Sequence, residues 1–534
     1  MRFSYASLTA QLLLLGCNGL MAEEKDERPN ILFIMSDDHA YQAISAYGSN
    51  LIQTPNIDRL AQEGVMFNQS FVSNSICGPS RACMLTGKLS HYNGFYGNGD
   101  CFDADQMTFP KLLQKSGYQT AMIGKLHLSS YPQGFDFWRI LPEQGDYYNP
   151  DFIEMSGDTV RYPGYVTDLI GDFTLEWLQK KRDKEKPFCL FYHHKAPHRE
   201  WLPAPRHFEL FDSTKFELPE TFFDDYKGRK AAQLQEMTIA THMNLTGDNK
   251  VEPIVAKDHP TDYAFGRDQY QLAISRMTKA QKEAWDKEYH QVSVDFQNKF
   301  KDLDEVSPEM AIWKYQRYMI DYLRCIASVD ENVGRVLDYL DQNGLTENTI
   351  VVYTSDQGFY LGEHGWFDKR FMYEESFRTP LLVRYPKKIK PNRVSEALVQ
   401  NIDYAPTFLD YAGISIPDSI QGISLRGIFE DKQPNVRDAV YYHYYGFPAF
   451  HQVRRHYGIR TDRYKLIHFY NDIDTWELYD LEKDKNELNN LIDDPLYEEI
   501  ELSLREQLQK LREDYRVPEE DVFNSKEGGM EMAK

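Results

Sequence analysis

The stretch "PNILFIMSDDH", residues 29–39, decides the fold class of this chain. Ile31 to Met35 is an unbroken apolar run, which is typical of a strand buried on both faces of a sheet. Two carboxylates, Asp37 and Asp38, follow it after Ser36. The stretch "NTIVVYTSDQG", residues 348–358, repeats the pattern far along the chain, with an apolar run that leads into an acid and an amide.

Helical patterns separate these strands. "TPNIDRLAQEGVMF" (54–67) has a threonine and a proline at a helix start and a glycine after its end, and "FPKLLQKSGYQTAMIGKLH" (109–127) runs from a helix through a glycine into a strand. "KPFCLFYHHKAPH" (186–198) is another buried strand. Alternating strands and helices predict an α/β domain with a large, mostly parallel sheet flanked by helices.

Ligands of such sheets bind beyond the carboxyl ends of the strands. Asp37, Asp38, Asp356 and Gln357 stand at two such ends, so we expect their oxygens to converge. A set of hard oxygen ligands suits Ca²⁺ or Mg²⁺ better than zinc or copper, and sequence chemistry does not choose between the first two. The alternative is that each aspartate only caps a turn or helix.

Composition changes along the chain and predicts its division into domains. Residues 23–430 are expected to form the catalytic domain, with a charged, irregular and partly helical insertion at about 205–312 that could wall the substrate cleft. Short β-like runs after residue 430 predict a smaller antiparallel C-terminal α+β domain over 431–534. Its tail, "EEDVFNSKEGGMEMAK" (519–534), is expected to be disordered.

Net charge and the N-terminus limit the partners and the compartment. The 534 residues carry a formal charge of −22, which disfavours nucleic acid and anionic membranes as partners. Residues 1–22 are typical of a signal peptide, and no later run is long and apolar enough to span a bilayer. "LLGC" also resembles a lipoprotein signal that ends before a lipidated Cys17. We expect an exported protein, in the bacterial periplasm or attached to the outer membrane as a lipoprotein.

The stretch "NSICGPSRACMLTGK", residues 74–88, places a thiol, Cys77, at the start of a short helix that ends at Gly87. Backbone N–H groups and the helix dipole favour negative charge there, which would lower a thiol pKa. Six cysteines and no C-x-x-C pair disfavour a disulfide framework and a thiolate zinc site. A disulfide partner, a metal ligand, a thiolate nucleophile, a modified cysteine and a small buried side chain all remain open at this point.

"CGPSRACMLTGK" resembles the C-x-P-S-R-x-x-x-L-T-G signature of type I sulfatases. In that family a maturation enzyme converts the cysteine to Cα-formylglycine (3-oxoalanine), an aldehyde. The resemblance runs from about residue 29 to about residue 491 and implies the alkaline-phosphatase-like sulfatase fold. It implies that the hydrate of modified Cys77 attacks the sulfur of a sulfate ester, and that its second hydroxyl then expels sulfate.

The resemblance also implies roles for other residues. Gln357 stands where the family more often has Asn, which keeps the amide oxygen on a longer side chain. Arg81 would stabilise the hydrate, Lys125 and Lys369 would grip the sulfate, His127 would help to expel it, and His198 would protonate the leaving alcohol. The implied ligands of one Ca²⁺ are Asp37, Asp38, Asp356, Gln357 and the modified Cys77.

Within that family the chain looks most similar to N-acetylglucosamine-6-sulfatases, through "GDYYNP", "GYVTDLIGDFTLEWL" and "DKRFMYEESFRTPLLVR". The expected substrate is the 6-O-sulfate of N-acetylglucosamine in heparan- or mucin-type saccharides, removed from a chain end. His364 and His194 are candidates for substrate binding. Iduronate-2-sulfate and galactose sulfate are alternative substrates, and a phosphodiester or phosphonate hydrolase of the same superfamily is the alternative reaction class.

Overall fold

A computed structural model describes residues 28–257, 259–300 and 307–519. The signal peptide predicted for 1–22, with Cys17, lies outside these residues, as does nearly all of the tail predicted to be disordered. Within the described ranges, none of the helices combines the length and the apolar composition that crossing a bilayer requires.

A ten-stranded mixed sheet forms the centre of the molecule, in the order β11-β2-β10-β9-β1-β8-β4-β5-β6-β7. The five central strands, from β9 to β5, pair in parallel, whereas β10, β6 and β7 pair antiparallel with their neighbours. The predicted large, mostly parallel sheet is therefore confirmed. The strands are β1 Asn30–Ser36, β2 Val65–Phe67, β3 Ser70–Phe71, β4 Gln119–Lys125, β5 Phe137–Leu141, β6 Asp151–Glu154, β7 Thr159–Arg161, β8 Phe188–His193, β9 Thr349–Ser355, β10 Leu381–Arg384 and β11 Arg393–Ser395; β12, Val399–Gln400, pairs with β3.

Strand β1 is buried along its whole length, as its unbroken apolar run predicts. Leu32 and Ile34 point into one hydrophobic cluster, whereas Ile31, Phe33 and Met35 point into another on the opposite face. Because side chains alternate between the faces of a strand, a strand covered on both sides needs apolar residues at successive positions.

Helices cover both faces of this sheet. They are α1 Pro55–Gln62, α2 Cys77–Thr86, α3 Ser90–Asn93, α4 Phe109–Lys115, α5 Val166–Glu176, α6 Lys230–Gln233, α7 Pro253–Ala256, α8 Ala264–Ser275, α9 Lys279–Phe300, α10 Pro308–Gln342, α11 Glu374–Phe377, α12 Tyr404–Tyr411 and α13 Arg426–Phe429. Helices α6 to α9 belong to the region predicted as an insertion. Trp285 and Tyr289 of α9 are buried in the cluster that also holds one side of α10.

The last part of the chain forms a four-stranded antiparallel sheet with one helix. Its strands are β13 Ala439–Tyr444, β14 His456–Thr461, β15 Tyr464–Phe469 and β16 Thr475–Asp480, each paired with the next, and α14 spans Glu498–Asp514. The predicted smaller antiparallel sheet is confirmed. The exact domain boundaries at 23–430 and 431–534 stay a prediction.

Candidate active site

The parallel register of β1 and β9 builds the site. Ser36 and Ser355 are paired neighbours at the carboxyl ends of these strands, so the residues that follow each strand lie side by side. Asp38 has a φ of 64°, a left-handed conformation that is uncommon outside glycine. Its backbone N–H donates to Asp356 Oδ1 at 3.1 Å, which joins the two strand ends directly.

Three carboxylates converge at this edge. Asp37, Asp38 and Asp356 are fully buried, and each offers an oxygen within 4.8 Å of the others. Burial raises the pKa of Asp38 to about 6, although the neighbouring Lys369 acts against this shift. Burial also acts to raise the pKa of Asp356, but the charges of Arg81 and Lys125 outweigh it and hold that pKa below its usual value. Like charges this close need positive charge between them.

Buried cations surround the carboxylates. Arg81 donates from Nε and Nη2 to Asp356 Oδ2, at 3.0 and 2.8 Å. Lys369 donates to both oxygens of Asp38, at 2.6 and 2.7 Å, and Lys125 donates to Asp37. These pairs bring three of the predicted catalytic residues to the predicted metal ligands, although about three hundred residues separate the two strand ends in the sequence.

Cys77 is the first residue of α2, and Gly87, with a φ of 65°, follows the last residue of this helix. Its Sγ lies 3.4 Å from Asp37 Oδ1 and 3.4 Å from Lys369 Nζ. Burial raises the pKa of this thiol to about 12, helped by Asp356 and Asp38 and opposed by Lys369 and Arg81. The helix N-terminus alone would lower this pKa, but burial and the neighbouring carboxylates act in the opposite direction, and the net shift is upward. An unmodified Cys77 stays a thiol at neutral pH.

The donor set fits a hard cation. Gln357 points Nε2 at Asp356 Oδ1 (2.8 Å) and at Cys77 Sγ (3.7 Å), while its buried Oε1 has no hydrogen-bond partner. The oxygen and nitrogen of a side-chain amide are assigned only from their hydrogen-bond partners. A rotation of the Gln357 amide by 180° would therefore direct Oε1 at the carboxylates. Three carboxylates and one amide oxygen are ligands that suit Ca²⁺.

The two predicted catalytic histidines lie at the rim of this cluster. His198 donates from Nδ1 to the carbonyl of Arg199, which leaves Nε2 at 3.8 Å from Asp38 Oδ2. His127 accepts from the Gln144 amide at 3.2 Å. Burial lowers the pKa of both rings, and the charge of Lys125 lowers both further. A negatively charged substrate would act in the opposite direction and favour the protonated form.

The structure does not bring His194 and His364 to this cluster. His194 is fully buried and stacks edge-on against Tyr192, with its ring centroid 4.4 Å away. His364 is also fully buried, and its Nδ1 lies 2.7 Å from Asp224 Oδ2. The described contacts of both rings are with other groups, and a role of either histidine in substrate binding stays a prediction.

Sequence reasoning missed two side chains. Gln144 links Lys125 to His127, because its amide oxygen accepts from Lys125 and its amide nitrogen donates to His127. Lys195 is 4% exposed, lies over the ring of Tyr147 at 4.8 Å, and its charge influences His198. The only sequence signals were position: Gln144 immediately precedes "GDYYNP", and Lys195 immediately precedes "APH".

Comparison with known proteins gives the family. The sulfatase family model matches residues 29–414, and the model of the N-sulphoglucosamine sulphohydrolase C-terminal region matches residues 362–514. An N-acetylglucosamine-6-O-sulfatase of Bacteroides thetaiotaomicron is 50% identical over 96% of this chain and 91% of its own. Human N-acetylglucosamine-6-sulfatase is 27% identical over 78% of this chain and 67% of its own.

A solved structure agrees with these sequence matches. BT4656, determined in complex with its substrate D-glucosamine-2-N,6-O-disulfate, superposes with a TM-score of 0.87 at 51% identity, over 92% of this chain and 99% of its own. The family match covers most of the chain, and it includes the strand ends and the helix that carry the buried cluster. The chain is therefore a member of the sulfatase family.

Proposed function

We propose that the protein is an exo-acting N-acetylglucosamine-6-O-sulfatase, which hydrolyses the 6-O-sulfate of terminal glucosamine units in heparan- or mucin-type saccharides. The observation that carries the proposal is the buried cluster in which Cys77, three carboxylates and three cations lie in contact. The 50% identity to a sulfatase of that specificity, over nearly the full length, supports the choice of sugar.

The nucleophile is Cys77 after conversion to formylglycine by a maturation enzyme. A protonated thiol is a weak nucleophile, and burial keeps this one protonated, so the residue as encoded is poorly suited to attack. The hydrated aldehyde supplies the attacking oxygen and, with its second hydroxyl, the means to release sulfate.

Asp37, Asp38, Asp356 and the Gln357 amide would hold one Ca²⁺ together with the modified Cys77. When bound, the ion supplies positive charge that polarises the oxygens it contacts. Lys125 and Lys369 flank the same site and are oriented by Asp37 and Asp38. Their ammonium groups would hold the sulfate oxygens and stabilise charge that develops during transfer.

The remaining residues move protons or keep the others in place. Arg81 is fixed by Asp356 and by the Lys125 carbonyl, with Nη1 2.7 Å from that oxygen, so it would stabilise the hydrate without moving. His198 has its Nδ1 occupied, which directs Nε2 towards the site, where the protonated ring would give its proton to the departing sugar oxygen. His127, oriented by Gln144, would assist the release of sulfate.

Export completes the proposal. The N-terminal stretch is typical of a secretory signal, and an enzyme that acts on extracellular glycans must meet them outside the cytoplasm. We propose a periplasmic enzyme or an outer-membrane lipoprotein anchored at Cys17. Labelling with a fatty-acid analogue in the native host, with Cys17→Ser as the control, separates these two locations.

A panel of monosaccharides sulfated at single positions tests the function. We expect matured enzyme to cleave N-acetylglucosamine-6-sulfate with a higher kcat/KM than iduronate-2-sulfate, galactose-6-sulfate or an aryl phosphate. Preference for another sulfated position would overturn the sugar assignment. A higher efficiency on phosphate, phosphodiester or phosphonate esters would overturn the reaction class.

A further inference from the structure

The backbone around Lys369 is strained. Asp368 and Arg370, its two neighbours, have φ values of 77° and 98°, a region that L-amino acids rarely adopt. Such conformations are unfavourable and persist only where surrounding contacts enforce them. Lys369 is one of the two lysines proposed to hold the sulfate, so the contacts that enforce this loop bear directly on catalysis.

Three side chains of the C-terminal sheet hold the main chain of this loop. Tyr442 on β13 donates its hydroxyl to the Arg370 carbonyl. His456 on β14 accepts from the Met372 N–H at 3.1 Å, and Lys465 on β15 donates to the Met372 carbonyl at 2.7 Å. Three successive strands thus each contribute one hydrogen bond to two residues just after Lys369.

The same Tyr442 hydroxyl also contacts the segment that carries Cys77. It accepts from the Ser75 backbone N–H at 3.2 Å, two residues before the nucleophile. The β13 backbone adds a second bond to this segment, from the His443 N–H to the Ser73 carbonyl at 3.0 Å. Tyr442 is fully buried, so water does not compete for its hydroxyl.

We infer that Tyr442 is a positioning residue for sulfate transfer, which fixes the separation between Cys77 and Lys369 from outside the site. Its one hydroxyl bonds to both segments, and the two side chains meet at 3.4 Å between Sγ and Nζ. The C-terminal sheet is thereby part of the catalytic apparatus, although none of its residues belongs to the buried cluster. The inference rests on the proposed function of Lys369 and Cys77.

Tyr442→Phe tests this, with Tyr441→Phe as the matched control. Tyr441 is the adjacent residue on β13, is equally buried, and its hydroxyl bonds to His443 Nδ1 at 2.9 Å, on the other side of the strand. Both variants lose one buried phenol hydroxyl. The fraction of Cys77 converted is measured by mass spectrometry in each protein, so that rates refer to matured enzyme.

We expect kcat of Tyr442→Phe to fall about 10- to 100-fold, because small displacements of reacting groups cost rates of that order. KM should change less than kcat, and inorganic sulfate should bind more weakly. Tyr441→Phe should keep kcat within about twofold while also losing thermal stability, since each change leaves at least one buried partner unpaired.

Wild-type kcat in Tyr442→Phe, or an equal fall of kcat in both variants, would overturn the inference. If Tyr442→Phe does not fold, His456→Leu removes a second of the three bonds, with His468→Leu as its control on the outer side of the sheet, and the same criteria apply. The ratio of kcat between variant and wild type can be measured on any sulfate ester that the enzyme cleaves. The inference about Tyr442 can therefore fail while the sugar assignment stands. A wild-type enzyme that cleaves no sulfate ester would instead refute the proposed function, and the weaker binding of inorganic sulfate still tests the positioning.

Discussion

Two buried groups of acids in this protein differ in whether their carboxylate oxygens converge on one point. The catalytic cluster, defined as Asp37, Asp38 and Asp356, has oxygens within 4.8 Å of one another, and three cations contact it. The junction cluster lies between the loop after Lys369 and the C-terminal sheet. It consists of Glu374, Glu477, Glu487 and Lys465.

In the junction cluster the acids are held by tyrosine hydroxyls, a backbone N–H and the Lys465 ammonium, which Glu374 and Glu487 share. Glu477 accepts from the Tyr373 and Tyr479 hydroxyls, both at 2.8 Å, and burial raises its pKa to about 7. Glu487 accepts from the Glu374 N–H at 2.8 Å and pairs with Lys465 at 2.7 Å, and burial raises its pKa to about 7 as well. Convergent oxygens, rather than the number of buried acids, therefore distinguish a candidate metal site from a structural cluster.

The largest expected effect comes from removing the atom that the catalytic cluster surrounds. Cys77→Ala should reduce sulfate-ester turnover to background without changing the fold, because no other group supplies the attacking oxygen. Cys77→Ser should also be inactive unless the host maturation enzyme accepts serine. The measurement is hydrolysis of N-acetylglucosamine-6-sulfate together with circular dichroism of each variant.

Cys83→Ala is the matched control for that change. Cys83 is buried six residues later on the same helix, and it contacts Ser90 and Asn93 rather than the cluster. We expect its activity to stay near wild type. Near-normal turnover in Cys77→Ala would refute the mechanism, and a free thiol at position 77 in every active molecule would do the same.

The next largest effect is expected from removing His198, the residue proposed to transfer a proton to the leaving group. His198→Ala should lower kcat on a sugar sulfate by about 10²- to 10⁴-fold, the usual contribution of a general acid. It should lower kcat much less on an aryl sulfate whose phenol leaves without a proton. An equal loss on both substrates would show that His198 acts by some other means.

His194→Gln is the companion variant, four residues earlier in the chain. Because the His194 ring is fully buried against Tyr192, we expect an unchanged KM for the sugar sulfate. A raised KM at unchanged stability would restore His194 as a substrate-binding residue.

Chelation should distinguish the two acid clusters. Removal of divalent cations with a chelator should abolish activity and lower the midpoint of thermal unfolding, because the carboxylates then repel one another and a bound ion at 100 times its Kd stabilises by about 2.7 kcal/mol. Added Ca²⁺ should restore both properties. Full activity and an unchanged midpoint after chelation would exclude the metal role.

Variants of each cluster sharpen that result. Gln357→Leu should raise the Ca²⁺ concentration needed for half-maximal activity, because it removes the amide oxygen. Glu477→Gln should leave that concentration unchanged, since Glu477 belongs to the junction cluster.

The smallest effect on activity comes from the junction cluster, which gives the folded protein a pH-dependent stability. Folded Glu477 keeps its proton up to about pH 7, whereas the unfolded chain releases it near 4.5. Its contribution to stability is thus present below pH 4.5 and is lost as pH rises to 7, by roughly 3 kcal/mol at most. Glu477→Gln should flatten this part of the stability profile while kcat stays near wild type. Urea unfolding between pH 4.5 and 8 checks it, and parallel profiles of variant and wild type would contradict it.

Much of the site could be predicted because its residues are tied to regular elements. Asp37 and Asp38 follow a strand whose apolar run is unmistakable, and Asp356 and Gln357 follow another, so parallel pairing alone predicts their approach. Gln144 and Lys195 could not be predicted in this way, because they lie outside the strands and reach the site only through the folding of their segments. His194 and His364 were chosen by nearness in sequence to a motif; their rings pack against Tyr192 and Asp224, and their role in substrate binding stays a prediction.

By itself, the sequence determined the sheet class, the two acidic strand ends, the sulfatase signature at Cys77 and the antiparallel sheet at the end of the chain. These follow from local patterns of apolar and polar residues, which act within a few positions along the chain. The tertiary structure alone decided that burial keeps the Cys77 thiol protonated, that Gln144 links Lys125 to His127, and that Tyr442 contacts both the Cys77 and the Lys369 segments. Those properties depend on groups hundreds of residues apart that share one water-excluded volume, where charge and hydrogen bonding are set by neighbours in space.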